Sequence, residues 1–145
     1  MVERFTDVGN GTVRDNLTKL VWLKNANAFG QRNWTRALLD AKTLANGSAG
    51  LSDGSEAGDW RLPDVKELNG LIDFAYYDPA LPNASGKSKW VDGDAFIGVQ
   101  SGGYWSNTNY SGNSASAWGV GLDDGGVYGG NKTNTGYVWP VRAEQ

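Results

Sequence analysis

Cysteine and histidine are both missing from the 145 residues, and methionine occurs once. Without cysteine there is no disulfide, no thiolate zinc site and no cysteine nucleophile, and the redox compartment leaves no mark on the chain. Without histidine the commonest general base and the commonest transition-metal ligand are gone. Together these absences point away from catalysis, and no cofactor is expected. Charge is sparse as well: 13 Lys and Arg stand against 16 Asp and Glu, for a net charge of -3 and a pI near 4.8. That balance argues against capture of nucleic acid or of anionic membrane, both of which need clustered Lys and Arg. No apolar run approaches the roughly 20 residues of a membrane span, so no direct membrane insertion is expected. Met1 to Phe5 has no signal-peptide character.

Aromatic residues and glycine are plentiful, with seven Trp, six Tyr, four Phe and 21 Gly. A single domain of this length can bury a core without staples, and aromatic side chains supply much of the burial. The C-terminal third is the most informative stretch. Between Ser106 and Tyr137 only Trp118, Val120, Leu122, Val127 and Lys132 fall outside the set Asn, Ser, Thr, Gly, Tyr, Asp and Ala. That is the residue vocabulary of adaptable recognition: Tyr gives contact area at low entropy cost, and Asn, Ser and Gly give hydrogen bonding on a compliant backbone.

Local signals predict an α+β domain made of an N-terminal hairpin, two helices, a loop-rich middle and a C-terminal antiparallel sheet. Asn10-Gly11 separates Arg4 to Asp7 from Thr12 to Asp15, and Leu20 to Leu23 follows. Asn33 caps a helix from Trp34 to about Leu44, with Ala37, Leu38, Ala41 and Leu44 on its apolar stripe and Asn46-Gly47 ending it. A second helix begins after Pro63, where Asp64 and Glu67 form a capping-box variant and Val65, Leu68, Leu71 and Ile72 make the buried face. Trp90, Phe96 and Ile97 anchor the loops between Asn83 and Gly103. Strands are then expected over Tyr104 to Thr108, Ala115 to Leu122, Gly126 to Tyr128 and Tyr137 to Arg142, with a tight turn at Asp124-Gly125. In the second of these, alternation puts Trp118, Val120 and Leu122 inward and Ala117, Gly119, Gly121 and Asp123 outward. Val127 is expected to belong to the apolar framework.

Several segments carry a family likeness: Arg4-Phe5-Thr6-Asp7, Asn10 to Val13, Asp15 to Thr18, Val21-Trp22, and then Trp34, Ala37 and Leu38. Asp53-Gly54-Ser55, Gly58 to Pro63, Glu67-Leu68, Leu71-Ile72-Asp73, Tyr104-Trp105-Ser106 and Val138 to Arg142 follow in order. In that order they resemble the DUF1566 family, also called the Legionella collagen-like C-terminal domain family. The resemblance implies a C-type-lectin-like fold, related to that of formylglycine-generating enzymes, in secreted or cell-surface proteins that bind ligands or adhere. It also implies a Cys pair near Ala28 and Ala49, which this chain does not carry. The catalytic cysteines of the formylglycine-generating relatives and the Glu-Pro-Asn and Trp-Asn-Asp calcium signatures of animal C-type lectins are absent too. A second resemblance is to the variable proteins of diversity-generating retroelements, whose diversified segment lies near the C-terminus. Mutagenesis at adenines turns an AAC-type Asn codon into Gly, Ser, Asp, Tyr, Thr or Ala, the mixture found from Asn107 to Thr135.

These readings converge on a non-enzymatic domain that presents its C-terminal surface to a protein or glycan ligand. The expected contacts are Asn107, Asn109, Tyr110, Asn113, Gly119, Gly121, Asp123, Tyr128, Asn131, Asn134 and Tyr137. Tyr would anchor, and Asn and Asp would select. Trp22, Trp60, Trp105, Trp118 and Trp139 are expected in the structural frame, with Trp90 in a polar loop. Asp53, Glu56 and Asp59, or Asp92 and Asp94, have oxygen ligands for a hard cation, but neither set has the spacing of a calcium loop, and turn formation is their ordinary role. Arg61 and Arg142 are each expected to pair with a buried Asp. Other readings are an adhesin module that binds glycans, a trimerising end-cap of a surface fibre and, least favoured, a carboxylate-dependent glycosidase. The oligomeric state is not written in the sequence.

Overall fold

The computed structural model describes residues 3–144. Its first sheet begins with a meander of β1 (Phe5–Asp7), β2 (Thr12–Asp15) and β3 (Val21–Leu23). Asn10-Gly11 turns the chain between the first two strands; the Asn10 side chain accepts hydrogen bonds from the N–H and hydroxyl of Thr12. Gly11 has a φ of 86°, and a Cβ there would run into the Gly50 carbonyl, so glycine is required on both counts.

After β4 (Gln31–Arg32), Asn33 caps α1 (Trp34–Thr43) by accepting the Arg36 N–H. The predicted stripe is buried at Ala37, Ala41 and Leu44, while Leu38 is half-buried. The helix ends at Leu44, so Asn46-Gly47 lies beyond its cap. α2 (Val65–Asn69) carries the complete Asp64–Glu67 capping box, but it is a single turn and a half. Leu71 and Ile72 fall past its Gly70 cap, in a turn, although Leu71 remains fully buried.

The second sheet contains β5 (Gly103–Asn109), β6 (Ser116–Gly121), β7 (Val127–Asn131) and β8 (Gly136–Tyr137) together with β4, in the order β4-β8-β5-β6-β7. β9 (Val141–Arg142) leaves this sheet and joins β3, completing the first sheet as β1-β2-β3-β9. Two expectations are corrected here. Tyr137 to Arg142 is two short strands in different sheets, with Pro140 between them, and the second sheet is mixed because β5 and β8 run parallel.

The main core lies between the sheets. Val13, Trp22 and Val141 face it from the first; Tyr104, Val120 and Leu122 face it from the second. Phe96, the anchor of the middle loops, meets Phe5 and Trp139 edge-on with ring centroids 5.0 and 4.9 Å apart. Trp90 and Ile97 are half-buried, and the Trp90 indole N–H donates to the Phe96 carbonyl. A smaller cluster of Ala37, Ala41, Leu62, Trp105, Ala117 and Val138 packs α1 onto the second sheet. Trp22, Trp60, Trp105 and Trp139 are at most 3% exposed, as expected of a frame. The indoles of Trp60, Trp105 and Trp139 donate to the Ser55 hydroxyl, Arg32 carbonyl and Leu23 carbonyl, whereas the buried Trp22 indole N–H has no partner.

Candidate functional site

The C-terminal tract folds around β7, the strand at the open edge of the second sheet. β6 and β7 form a hairpin whose turn is Asp124-Gly125; the Asp124 carboxylate accepts the Gly126 N–H, and Gly125 donates to the Gly121 carbonyl. At the other end of the hairpin, two loops are stitched together. Asn113 accepts from the Ala115 N–H, and Asn131 accepts from the N–H and hydroxyl of Thr133. Between the loops, the Lys132 ammonium donates to the Asn109 side chain at 2.7 Å and the Ser114 carbonyl at 2.8 Å, and lies 4.3 Å from the centroid of Trp34. Lys132 is therefore a clamp, and its charge is already engaged. Asn109, Tyr110, Asn113, Asn131 and Asn134 come together at this end.

Two aromatic groups flank β7 on opposite faces. On one, the Tyr110 ring stacks on Trp118 at 4.7 Å and passes over Gly129, where a Cβ would lie 2.6 Å from the ring. On the other, Tyr128 lies over Gly119, where a Cβ would sit 2.9 Å from its ring, and over Gly103. Tyr128 remains 39% exposed. Its phenol titrates above its ordinary range, first because of burial and then because of the Asp123 carboxylate, so it is neutral and available as a hydrogen-bond donor at physiological pH. Asp123 and Gly121 sit beside it at the turn end of the hairpin.

The structure divides the expected surface. Asn107 is held against the second helix's approach: its backbone N–H donates to the Pro63 carbonyl and its side chain to the Leu62 carbonyl. Tyr137 lies three strands further in, on β8, stacked on Tyr104 at 5.4 Å and accepting from Gln31. Neither joins the loops around β7. Gly119 is buried, and a Cβ there would also meet the Tyr104 carbonyl at 2.9 Å, so it is a floor and not a contact.

Three inward or outward assignments are also corrected. Ala117 is fully buried rather than outward, because α1 covers that part of the sheet and packs Ala37 and Ala41 into the same cluster. Trp118 is half-buried under Tyr110 rather than in the core, and Val127 is 46% exposed on the open edge. Phe74 and Tyr77 are 74% and 66% exposed and were not anticipated; the run Phe74-Ala75-Tyr76-Tyr77 before Asp78-Pro79 was the signal for them.

Of the acidic candidates, Asp53, Asp59, Asp92 and Asp94 have structural partners. Asp53 accepts from Ser55 and pairs with Arg142 at 3.2 Å, as expected of a buried Asp, while Arg61 pairs with Glu67 at 2.7 Å rather than with an Asp. Asp92 and Asp94 accept the N–H groups of Gly98 and Ala84. Among the described residues, no group of three acidic side chains is placed to hold a metal ion, and no helix is long and apolar enough to cross a membrane.

With this geometry in place, the comparison with known families is specific: the family model for the Lcl C-terminal domain matches residues 11–142. The chain belongs to that family, which is the DUF1566 family named for a Legionella collagen-like protein. No curated protein matches the chain.

Proposed function

We propose that this domain is a non-enzymatic binding module of C-type-lectin-like fold, carried by an extracellular or cell-surface protein, and that the loops and edge around β7 contact a protein or glycan ligand. The observation that carries this reading is the pair of ring platforms, Tyr110 on Trp118 and Tyr128 on its glycine floor. Each is partly open, held by close packing and rich in apolar area, as binding hot spots are. The family membership supports a surface or adhesin role for the parent protein. Asn109, Asn113, Asp123, Asn131 and Asn134 supply hydrogen-bonding groups around the platforms.

Probing a glycan array and a surface-protein display library with the domain tests this. Captured ligands should lose about tenfold or more in affinity on Tyr110→Ala or Tyr128→Ala, the scale of a hot-spot truncation. Leu17→Ala, on the first sheet's exposed loop, should leave them unchanged; a loss confined to that variant sinks the assignment.

Retroelement diversification of the tract is a narrower form of the same reading. Exposed Asn109, Asn113, Asn131 and Asn134 have the codon type and the position for it, whereas Gly119 is restrained by the Tyr104 carbonyl. Sequences from close isolates would carry adenine-derived substitutions at those asparagines and few at Gly119; uniform scatter removes the idea.

A further inference from the structure

β7 ends its sheet, and its outer edge is open. The Gly121 N–H donates to the Gly126 carbonyl and the Lys132 N–H to the Ala115 carbonyl, both at 2.8 Å. With Gly119 opposite Tyr128 and Ala117 opposite Gly130, the even residues of β7 turn their backbone groups toward β6. Val127, Gly129 and Asn131 therefore turn theirs away. The Asn131 carbonyl accepts the Asn134 N–H, which leaves Val127 and Gly129 each with a donor and an acceptor facing outward.

Folded proteins commonly guard such an edge with an internal charge, a proline or a bulge. From Val127 to Asn131 there is none of these, and two glycines keep the backbone bare. A strand added here would place its alternate side chains beside Tyr110 on one face and Tyr128 on the other.

Charge gives the occupant its character. Seven ion pairs occur among the described residues, and none of them uses Asp73, Asp78, Asp123 or Asp124. These four aspartates belong to one end of the molecule: the Asp78 N–H donates to the Asp123 carbonyl at 2.7 Å, and a Cβ on Gly125 would lie 3.0 Å from the Phe74 ring. Exposed Phe74, Tyr77 and Val127 stand among them. The open edge thus runs into a region that is both apolar and uncompensated in negative charge.

We propose that β7 is a docking edge for an extended segment of a partner protein that alternates apolar residues with Lys or Arg. The segment adds to the sheet through the outward groups of Val127 and Gly129, and its cationic residues face the four aspartates. This rests on the reading of the tract as a recognition surface and names the partner chemistry for it.

The probe is an end-blocked peptide of alternating valine and lysine, about six residues long, the usual length of a strand. Titrated into the domain and followed by NMR, it should slow amide exchange at Val127 and Gly129. Methylating alternate backbone nitrogens of the peptide should weaken binding at least tenfold, and Asp78→Asn with Asp123→Asn should weaken it severalfold and flatten its salt dependence. Val127→Pro removes an outward N–H and should abolish binding; where that variant fails to fold, the methylated peptide decides. Equal binding of the methylated peptide, or of a valine–glutamate counterpart, overturns the proposal. So does protection of the same amides by concentration-dependent association of the domain alone, which assigns the edge to a second copy. If the probe fails to bind while ligands captured by display still depend on Tyr110 and Tyr128, the edge proposal falls and the recognition surface stands.

Discussion

The two ends of the molecule handle charge in opposite ways. Around the first sheet, charged groups are paired within the chain: Asp15 with Arg4, Asp7 with Lys24, Asp53 with Arg142 and Glu67 with Arg61. Around the β6–β7 turn, Asp73, Asp78, Asp123 and Asp124 have no cationic partner among the described residues, and aromatic side chains stand open beside them. The first region closes on itself; the second leaves its aspartates without cations from the chain, which is what the proposed recognition surface requires. Self-satisfaction of this kind separates a frame from a surface better than residue composition does.

The largest break in that comparison comes from the frame. Trp139 touches Trp22, Phe96 and Tyr104 across the core, so Trp139→Ala should cost about 3–5 kcal/mol, read as a lower urea midpoint.

Next is Asp53→Asn, which strands the buried Arg142 guanidinium, whose Nε already has no hydrogen-bond partner. A loss on the order of 3 kcal/mol is expected for a broken buried pair. Burial pushes the Asp53 carboxyl up, but hydrogen bonds from Ser55 and the Arg142 charge outweigh it and hold the group below its ordinary value. Glu67 is held low first by hydrogen bonds from Arg61, against the pull of its own burial. A carboxylate with a depressed folded pKa contributes stability above its unfolded value and loses it as pH falls through the folded one. Stability should therefore fall as the medium is acidified below about pH 4, where free carboxylates begin to protonate. Asp53→Asn should flatten that acid limb; an unchanged slope would show that the pair contributes nothing to it.

Tyr128→Ala should invert the pattern. Its ring is partly exposed and rests on glycine, so thermal melting should shift little, by about 1 kcal/mol in stability, while captured ligands are lost. A large stability loss with binding intact would move Tyr128 from surface to frame.

Legibility in the sequence follows the same division. Local chemistry announced itself: Asn10-Gly11, the Asn33 cap and the Asp64–Glu67 box each act within a few residues, and all three are in place. Long-range geometry did not. The parallel β5–β8 pairing and the departure of Val141-Arg142 to the first sheet depend on contacts far apart in the chain, and Pro140 alone gives no direction. Alternation along β6 holds, but it cannot say which face is covered where: α1 packs over Ala117 on the face read as outward, and Trp118, on the face read as inward, lies under Tyr110. Of the candidate contacts, the loop asparagines and two tyrosines do gather around β7, where polar turn chemistry and composition pointed. Tyr137 has the same composition and lies elsewhere.

The smallest expected effect discriminates most finely. Asn134 is exposed, and the loop is held by the Asn131 side chain and by the Asn134 backbone N–H rather than by the Asn134 side chain. Asn134→Ser, Asn134→Asp and Asn134→Tyr should each leave stability within about 0.5 kcal/mol of the parent. Gly119→Ser, chemically as mild, should cost more, because its Cβ meets a backbone carbonyl that cannot swing away as a side chain can. If unfolding curves show the two positions equally tolerant, the floor beneath Tyr128 is softer than the packing implies, and Gly119 returns to the variable surface. If Asn134 proves the costlier site, the loop belongs to the frame.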